Sequence, residues 1–389
     1  MTFAPASTTV ENALAAATET VRRNIVAFGA AYPDDTTTDG CYLLRPATEA
    51  FAEGANRGWT TSFWPGMMWL AGDVTGDAAF HEAALAHAAD FERRLYGDED
   101  LETHDLGFLY SLSVVTAWKQ TGDERWRTAG IKAGERLMTR FLEPAGILQA
   151  WGDLSDPAQR GRAIIDSLMN MPLLTWVGEQ TGDPRYADAV RRHTEQLRTQ
   201  IFRADDSTFH TFYWDAETGE PLRGGTEQGA FDESCWARGE AWGIYGFALN
   251  SQAVGDPRQL EAAWRCADYY LAHLPSDGIP YWDLVYTEGS DAPRDSSAAA
   301  IAACGFFELA AVEPDPERSA RARAAAHAQL DALIAEAMPR PAESSDALLL
   351  HGVYDMPKLV GVDEGTLWGD YFFLEALTRA SRPDWQRYW

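Results

Sequence analysis

Cysteine is scarce in this chain. The four residues, Cys41, Cys235, Cys266 and Cys304, show no C-x-x-C spacing, which argues against a zinc cluster or a disulfide framework and for reduced, mostly buried thiols. Positive charge is scarce as well. With 32 Lys and Arg against 59 Asp and Glu, the formal net charge is −27, so the basic footprint that nucleic acid or an anionic membrane needs is missing. Long apolar runs are absent too, and none reaches membrane-spanning length. The N-terminal region has no basic segment leading into an apolar stretch, and Glu11 and Glu19 interrupt what apolar character it has, so the expectation is a cytoplasmic protein. His81 and His87 do not have the four-residue spacing of a metal-binding helix, and neither metal nor cofactor is expected.

What the chain does have is apolar and aromatic mass. At 389 residues, 46% hydrophobic and 12% aromatic, it has enough to bury one large core or two ordinary ones. A recurring phrase organises it: Thr75-Gly76-Asp77, Thr121-Gly122-Asp123 and Thr181-Gly182-Asp183, with Val254-Gly255-Asp256 as a fourth version. Glycine suits the left-handed position that ends a helix, and the following aspartate suits the cap of the next. Segments after each hinge alternate apolar and charged residues at helical spacing, as in Tyr186, Val190 and Leu197, and read as outer helices. Segments before each hinge, such as 64–70, 106–118, 164–177 and 236–249, are more uniformly apolar, rich in Gly, Ala and Trp, and read as inner helices. Segments 296–309 and 368–377 continue the inner set, while 8–28 and 316–336 supply further polar-faced helices. About six of each kind predict an all-α fold, a closed (α/α)6 barrel spanning 1–389 as a single domain, with an open solenoid as the alternative. The interval between hinges widens along the chain, and the insertions at 144–162, 205–235 and 275–295 belong on the rim that carries the site.

Two similar settings hold candidate catalytic residues. His104-Asp105-Leu106-Gly107-Phe108 and Ile164-Ile165-Asp166-Ser167-Leu168-Met169-Asn170 each place one carboxylate in an apolar run, where an unpaired charge is costly. Either aspartate alone has a structural use, as a cap or within a buried network; two at equivalent places in a repeat favour a working pair. Fifteen tryptophans are also present. Core packing accounts for about half of them, and those in glycine-rich or polar settings, such as Trp151, fit as platforms for a sugar ring.

Together with Trp236-Ala237-Arg238-Gly239-Glu240-Ala241-Trp242-Gly243, Arg294-Asp295-Ser296-Ser297-Ala298-Ala299 and Trp368-Gly369-Asp370-Tyr371, the two aspartate motifs resemble those of glycoside hydrolase family 88, the unsaturated glucuronyl hydrolases. The likeness runs from about Trp59 to Leu377. It implies an (α/α)6 barrel and an exo-acting enzyme that hydrates the C4=C5 bond of a terminal unsaturated uronic acid, with no attack at C1. Asp166 matches the family's acid and base, and Asp105 its second essential aspartate, sharing a hydrogen bond with Asp166 or orienting the sugar hydroxyls. His210, Gln228, Arg238 and Trp242 match the sugar subsite, with Trp59, Trp64 and Trp151 as stacking surfaces. Arg238 is expected to bind the uronate carboxylate, although an ion pair with Glu233 or Glu240 is its structural alternative. Arg294-Asp295 reads as a helix-start pair that supports the barrel.

The chain departs from the family pattern at Glu240, where glutamine is usual; this adds negative charge near the subsite. The loop 351–360 lacks the serines that accompany sulfated substrates, which implies a preference for unsulfated ones. The implied partner is a short unsaturated uronate oligosaccharide, easier to reconcile with the acidic chain than a long polyanion; no nucleic acid or membrane is expected, and the protein is expected as a monomer or homodimer. A related unsaturated rhamnogalacturonyl hydrolase acting on pectin fragments, a sugar epimerase short of its histidine bases, and a non-catalytic sugar-binding scaffold are the alternatives.

Overall fold

Each hinge forms as its chemistry dictates. Gly76 and Gly122 end their helices in the left-handed conformation, at φ 73° and 68°, where a side chain would be strained. Asp77, Asp123, Asp183 and Asp256 then cap the next helix by accepting its second backbone N–H, each cap contributing about 1 kcal/mol. In the computed structural model, which describes residues 8–340 and 343–389, these hinges join inner to outer helices.

The inner ring contains Phe63–Thr75, 106–121, 165–181, Ala237–Val254, Ser296–Val312 and Leu367–Ser381. Each packs on the next, and the last returns to the first, so the ring is closed. The outer helices are Thr8–Phe28, Ala78–Tyr96, Glu124–Met138, Pro184–Gln200, Pro257–Ala272 and Pro316–Glu336, each packed on its inner neighbour. Among the described residues that makes six of each, the (α/α)6 barrel. Several inner helices are buried nearly all round, as with Ser296–Val312, covered from Ser296 to Ala310; Met171–Thr181 keeps a partly exposed stripe. Outer helices bury one stripe, as with Tyr186, Ala189, Val190, His193 and Leu197, the spacing of a helix with one core face. A cluster of aromatic and charged side chains fills the centre, and Trp389 joins it by stacking on Phe372 at 5.9 Å and donating its indole N–H to Glu375.

The inner elements that carry the two aspartates are irregular. Asp105 immediately precedes the helix Leu106–Tyr110, which passes through a π-helical turn at Ser111–Val115, a distortion common near functional sites. Asp166 lies in a 3-10 turn, Ile165–Asn170, ahead of the helix Met171–Thr181. Gly107 makes their close approach possible: a Cβ there would sit 2.3 Å from Asn170 Cα. Asn170 Oδ1 accepts the Phe108 backbone N–H at 2.9 Å. The two motifs thus lock onto each other through their own glycine and asparagine.

Small sheets form the rim. Strands Arg162–Ile164, Thr211–Trp214 and Pro221–Gly225 pair antiparallel in that order. A hairpin of Gly352–Asp355 and Val360–Glu364 stands across from them.

Gly107→Ala forces two backbones apart, so urea unfolding should show a loss of about 1–3 kcal/mol, typical of an overpacked core. An unchanged midpoint would mean that the helices do not depend on this contact.

Candidate active site

The rim elements and inner-helix starts surround a cavity of about 320 Å³, at the lower end of the ~300–1,000 Å³ usual for ligand pockets. Of the residues singled out from the sequence, Asp105, Asp166, Trp59, Trp151, His210, Gln228, Arg238 and Trp242 line it. Trp64 does not. It is 1% exposed and packs edge-on against Phe28 at 5.8 Å and near His87 at 6.5 Å, towards the outer helices. Phe63 faces Trp59, and one further residue turns the helix by about 100°, which carries the Trp64 ring off the cavity side.

Asp166 is the centre of the arrangement. Its residue keeps partial solvent contact, but Oδ1 is enclosed and has no hydrogen-bond partner. Burial first, and the charge of Asp105 second, push its carboxyl well above the usual carboxylate range; backbone N–H groups of Asp166 and Ser167 and the charge of Arg238 act in the opposite direction with less effect. Asp105 places its own hydrogen bonds elsewhere: Thr103 Oγ1 donates to Oδ2 at 2.7 Å, and His104 Nε2 lies 3.3 Å from Oδ1. Asp105 therefore acts on Asp166 through its field. Asp105 stands just ahead of its helix, as the segment 106–118 implies, and Asp166 lies in the turn that opens its own, where the backbone turns and a side chain reaches the cavity.

His210 is a neutral donor. The Glu227 backbone N–H donates to its Nδ1 at 3.1 Å, which puts the ring proton on Nε2. That nitrogen is buried without a partner, and burial with the nearby Arg238 charge holds the ring near pKa 3. Its N–H is unsatisfied within the protein, on a ring that lines the cavity.

Arg238 is held differently from the expected carboxylate clamp. Nη1 donates to Asp295 Oδ2 at 3.0 Å and to the Val353 carbonyl, and Nη2 donates to the Tyr354 carbonyl at 2.6 Å. Trp236 and Trp368 cover the guanidinium at 4.3 and 4.9 Å. Much of its donor set is thus committed to the hairpin and to Asp295, which also caps Ser296–Val312. Its partner is neither Glu233 nor Glu240, and Arg294 pairs with Asp277. Glu240 sits behind the wall, where its Oε2 accepts from Thr208 Oγ1 at 2.5 Å and Cys235 Sγ at 3.1 Å. Burial pushes it up to about 7, and it does not line the cavity, so it is not the subsite residue that its position in the motif suggests.

Tyr354 is the main residue that the sequence pattern did not single out. Trp59 donates its indole N–H to Tyr354 Oη at 3.0 Å, and Gln228 donates to the Tyr354 carbonyl at 2.9 Å. Asp355 and Lys358 from the same hairpin, Glu227, Trp236 and His104 complete the polar and aromatic lining. His104 and Trp236 stand inside the quoted motifs, which is the signal that marks them. The hairpin residues stand in the loop 351–360, which the sequence marks only by its missing serines.

This combination of a buried acid, a neighbouring carboxylate, a neutral imidazole donor and aromatic walls is the equipment of acid-base chemistry on a sugar. Removing the carboxyl has a thermodynamic signature. A carboxyl whose folded pKa is raised stabilises the fold fully below its unfolded pKa near 4, and that contribution is lost as pH rises through the folded value. Asp166→Asn should therefore flatten the fall in melting temperature above pH 4 and exceed wild type in stability at neutral pH. A parallel profile would show that Asp166 is comfortably ionised.

Comparisons with known proteins agree with that chemistry. The model of Glycosyl Hydrolase Family 88 matches residues 44–338. An unsaturated glucuronyl hydrolase of Bacillus sp. (strain GL1) is 43% identical over 92% of this chain and 93% of its own length. An unsaturated chondroitin disaccharide hydrolase of Streptococcus pyogenes serotype M1 is 40% identical over 98% of this chain and 93% of its own. The crystal structure of a mutant unsaturated glucuronyl hydrolase from Streptococcus agalactiae, complexed with dGlcA-GalNAc6S, superposes with a TM-score of 0.84 at 38% identity, covering 99% of this chain and 95% of that one. By sequence and fold, the chain belongs to glycosyl hydrolase family 88 and is a glycoside hydrolase.

Proposed function

We propose that the enzyme releases 4,5-unsaturated glucuronic acid from the non-reducing end of lyase-generated oligosaccharides, by hydrating the C4=C5 bond. The observation that carries this reading is Asp166 itself, a cavity-lining carboxyl whose pKa burial and the charge of Asp105 push well above the usual carboxylate range, with Oδ1 enclosed and without a hydrogen-bond partner.

The chemistry follows from the substrate. C5 carries both the double bond and the ring oxygen, so the bond is a vinyl ether. Asp166 gives its proton to C4, and the positive charge left at C5 is shared with the ring oxygen. Water adds to C5 while the Asp166 carboxylate takes its proton back. The hemiketal then collapses: the bond from C5 to the ring oxygen breaks, C5 becomes a ketone, and the hemiacetal left at C1 expels the next sugar as an alcohol. In this reading His210 Nε2–H and the remaining Arg238 charge hold the uronate, and Trp59, Trp151 and Trp242 cover its apolar faces; all five line the cavity. The same reading assigns this activity to a single barrel domain, and of the expected bounds 1–389 the residues 1–7 and 341–342 lie outside the described residues. No helix among the described residues is long and apolar enough to cross a membrane, and the same reading has the enzyme acting on imported disaccharides in the cytoplasm, as a monomer or homodimer.

The charged part of the cavity lining bears on sulfation. Its one lysine, Lys358, is paired with Asp355 at 2.7 Å, and Glu227 shares the lining. Two carboxylates around one neutralised ammonium disfavour an added sulfate, which supports the preference for unsulfated substrates.

Mixing the enzyme with unsaturated chondroitin, hyaluronan and heparin disaccharides should bleach the ultraviolet absorbance of the C4=C5 bond, and Asp166→Asn should slow this by roughly 10²- to 10⁴-fold or more. An unsulfated disaccharide should turn over faster than its 6-sulfated counterpart; the reverse order would defeat the sulfation reading. Persistent absorbance with every glucuronyl substrate would defeat the activity, and turnover of an unsaturated galacturonyl-rhamnose disaccharide would then select the pectin-directed alternative. Asp105→Asn removes the charge that helps hold the proton on Asp166, so the falling alkaline limb of its kcat/KM profile should move to lower pH. A limb that stays in place would mean that Asp105 does not tune the acid.

A further inference from the structure

We infer that His193, on an outer helix and outside the cavity lining, is a positioning residue that ties the two aspartate-bearing segments into one rigid unit. This rests on Asp166 and Asp105 being the working pair.

The geometry is specific. His193 is completely buried on the core face of Pro184–Gln200. Its Nδ1 accepts the Leu148 backbone N–H at 3.0 Å, which leaves the ring proton on Nε2. Nε2 lies 2.7 Å from Ser167 Oγ and donates to it, while Ser167 Oγ donates to the Ile164 carbonyl at 2.5 Å. Each group has one direction open to it, so the chain from Leu148 N–H to Ile164 carbonyl is fully determined. Ser167 follows Asp166 directly, and the Ser167–Ile164 bond closes the turn in which Asp166 sits.

The other arm reaches Asp105. Two residues beyond Leu148, the Ala150 carbonyl accepts the His104 backbone N–H at 3.1 Å, and the Ala150 N–H donates to the Arg162 carbonyl at 3.0 Å. The run 148–151 therefore connects the residue before Asp105 to the strand that leads into Asp166, and ends at Trp151 in the cavity wall. One imidazole braces this run and the Asp166 turn together. Burial, with a smaller contribution from His104, holds the ring down near pKa 3, so it stays neutral and keeps the same bonds across the working range.

A brace of this kind acts on the rate of chemistry more than on sugar binding, because a small misplacement of an acid costs far more in the transition state than in the ground state. The test is steady-state kinetics of His193→Phe, His193→Gln and Ser167→Ala on an unsaturated disaccharide that the wild type turns over. His193→Phe keeps a planar ring and loses both bonds; kcat should fall roughly 10- to 100-fold with KM within about threefold. His193→Gln, which keeps an amide donor and acceptor, should recover part of the loss. Ser167→Ala cuts only the arm to Asp166 and should lower kcat by less than His193→Phe. Where His193→Phe fails to fold, the pair His193→Gln and Ser167→Ala decides: reduced kcat at near-constant KM in Ser167→Ala supports the brace, and wild-type kcat in it overturns the inference. Folded His193→Phe with wild-type kcat, or with a loss confined to KM, also overturns it. Asp166→Asn in the same assay separates the two claims, since an active Asp166→Asn defeats the underlying assignment, whereas an inactive one beside an unaffected His193→Phe defeats only the brace.

Discussion

A carboxylic acid that has to carry a proton near neutral pH must be kept from the water that would ionise it. That constraint explains the surroundings of Asp166. The cavity admits a sugar but encloses Oδ1, and no side chain donates to that oxygen. Asp105 stands near enough to disfavour a second negative charge, yet its own hydrogen bonds are spent on Thr103. Arg238 would neutralise Asp166 if it were free to do so. Asp295 and the hairpin carbonyls hold it back, which keeps a positive charge in the wall without turning Asp166 into one half of an ion pair.

Holding an unpaired acid in this way costs stability, and the barrel offsets the cost around it. The inner helices contribute uniformly buried faces, where each enclosed large apolar side chain is worth about 1.5–3 kcal/mol. The close contact of Gly107 with Asn170 fixes the spacing of the two aspartate segments without using either carboxylate. The rim strands place His210 and Glu227, and the facing hairpin places Tyr354 and Lys358. Structural duty thus falls on backbone contacts and second-line side chains such as Asp295, while Asp166 is left uncommitted.

The division into inner and outer helices was legible because it rests on local chemistry. The Gly-Asp hinges end one helix and cap the next whatever surrounds them, and uniform against one-sided apolarity sorts the helices. The two aspartates were legible for a related reason, since a charge in an apolar run is anomalous at the level of a few residues. What the sequence pattern missed depends on three-dimensional return paths. Trp64 shares the composition of Trp59 but points the other way, a matter of helical phase relative to neighbours that the sequence does not number. Arg238 meets Asp295 across a long separation in the chain, and Tyr354 reaches the cavity on a hairpin whose residues resemble any polar loop. Glu240 looks like a subsite charge in its motif, and only its burial against Thr208 and Cys235 shows otherwise.

The central claim is that Asp166 holds its proton at the pH where the enzyme works. Infrared spectra of the protein across a pH titration, taken as the difference between wild type and Asp166→Asn, test it directly. A carbonyl stretch of a neutral carboxyl, present in wild type at neutral pH, missing in the variant and fading only as pH rises further, is the expected result. A wild-type spectrum with no such band above pH 5, and no difference from the variant beyond an ordinary carboxylate, would contradict it.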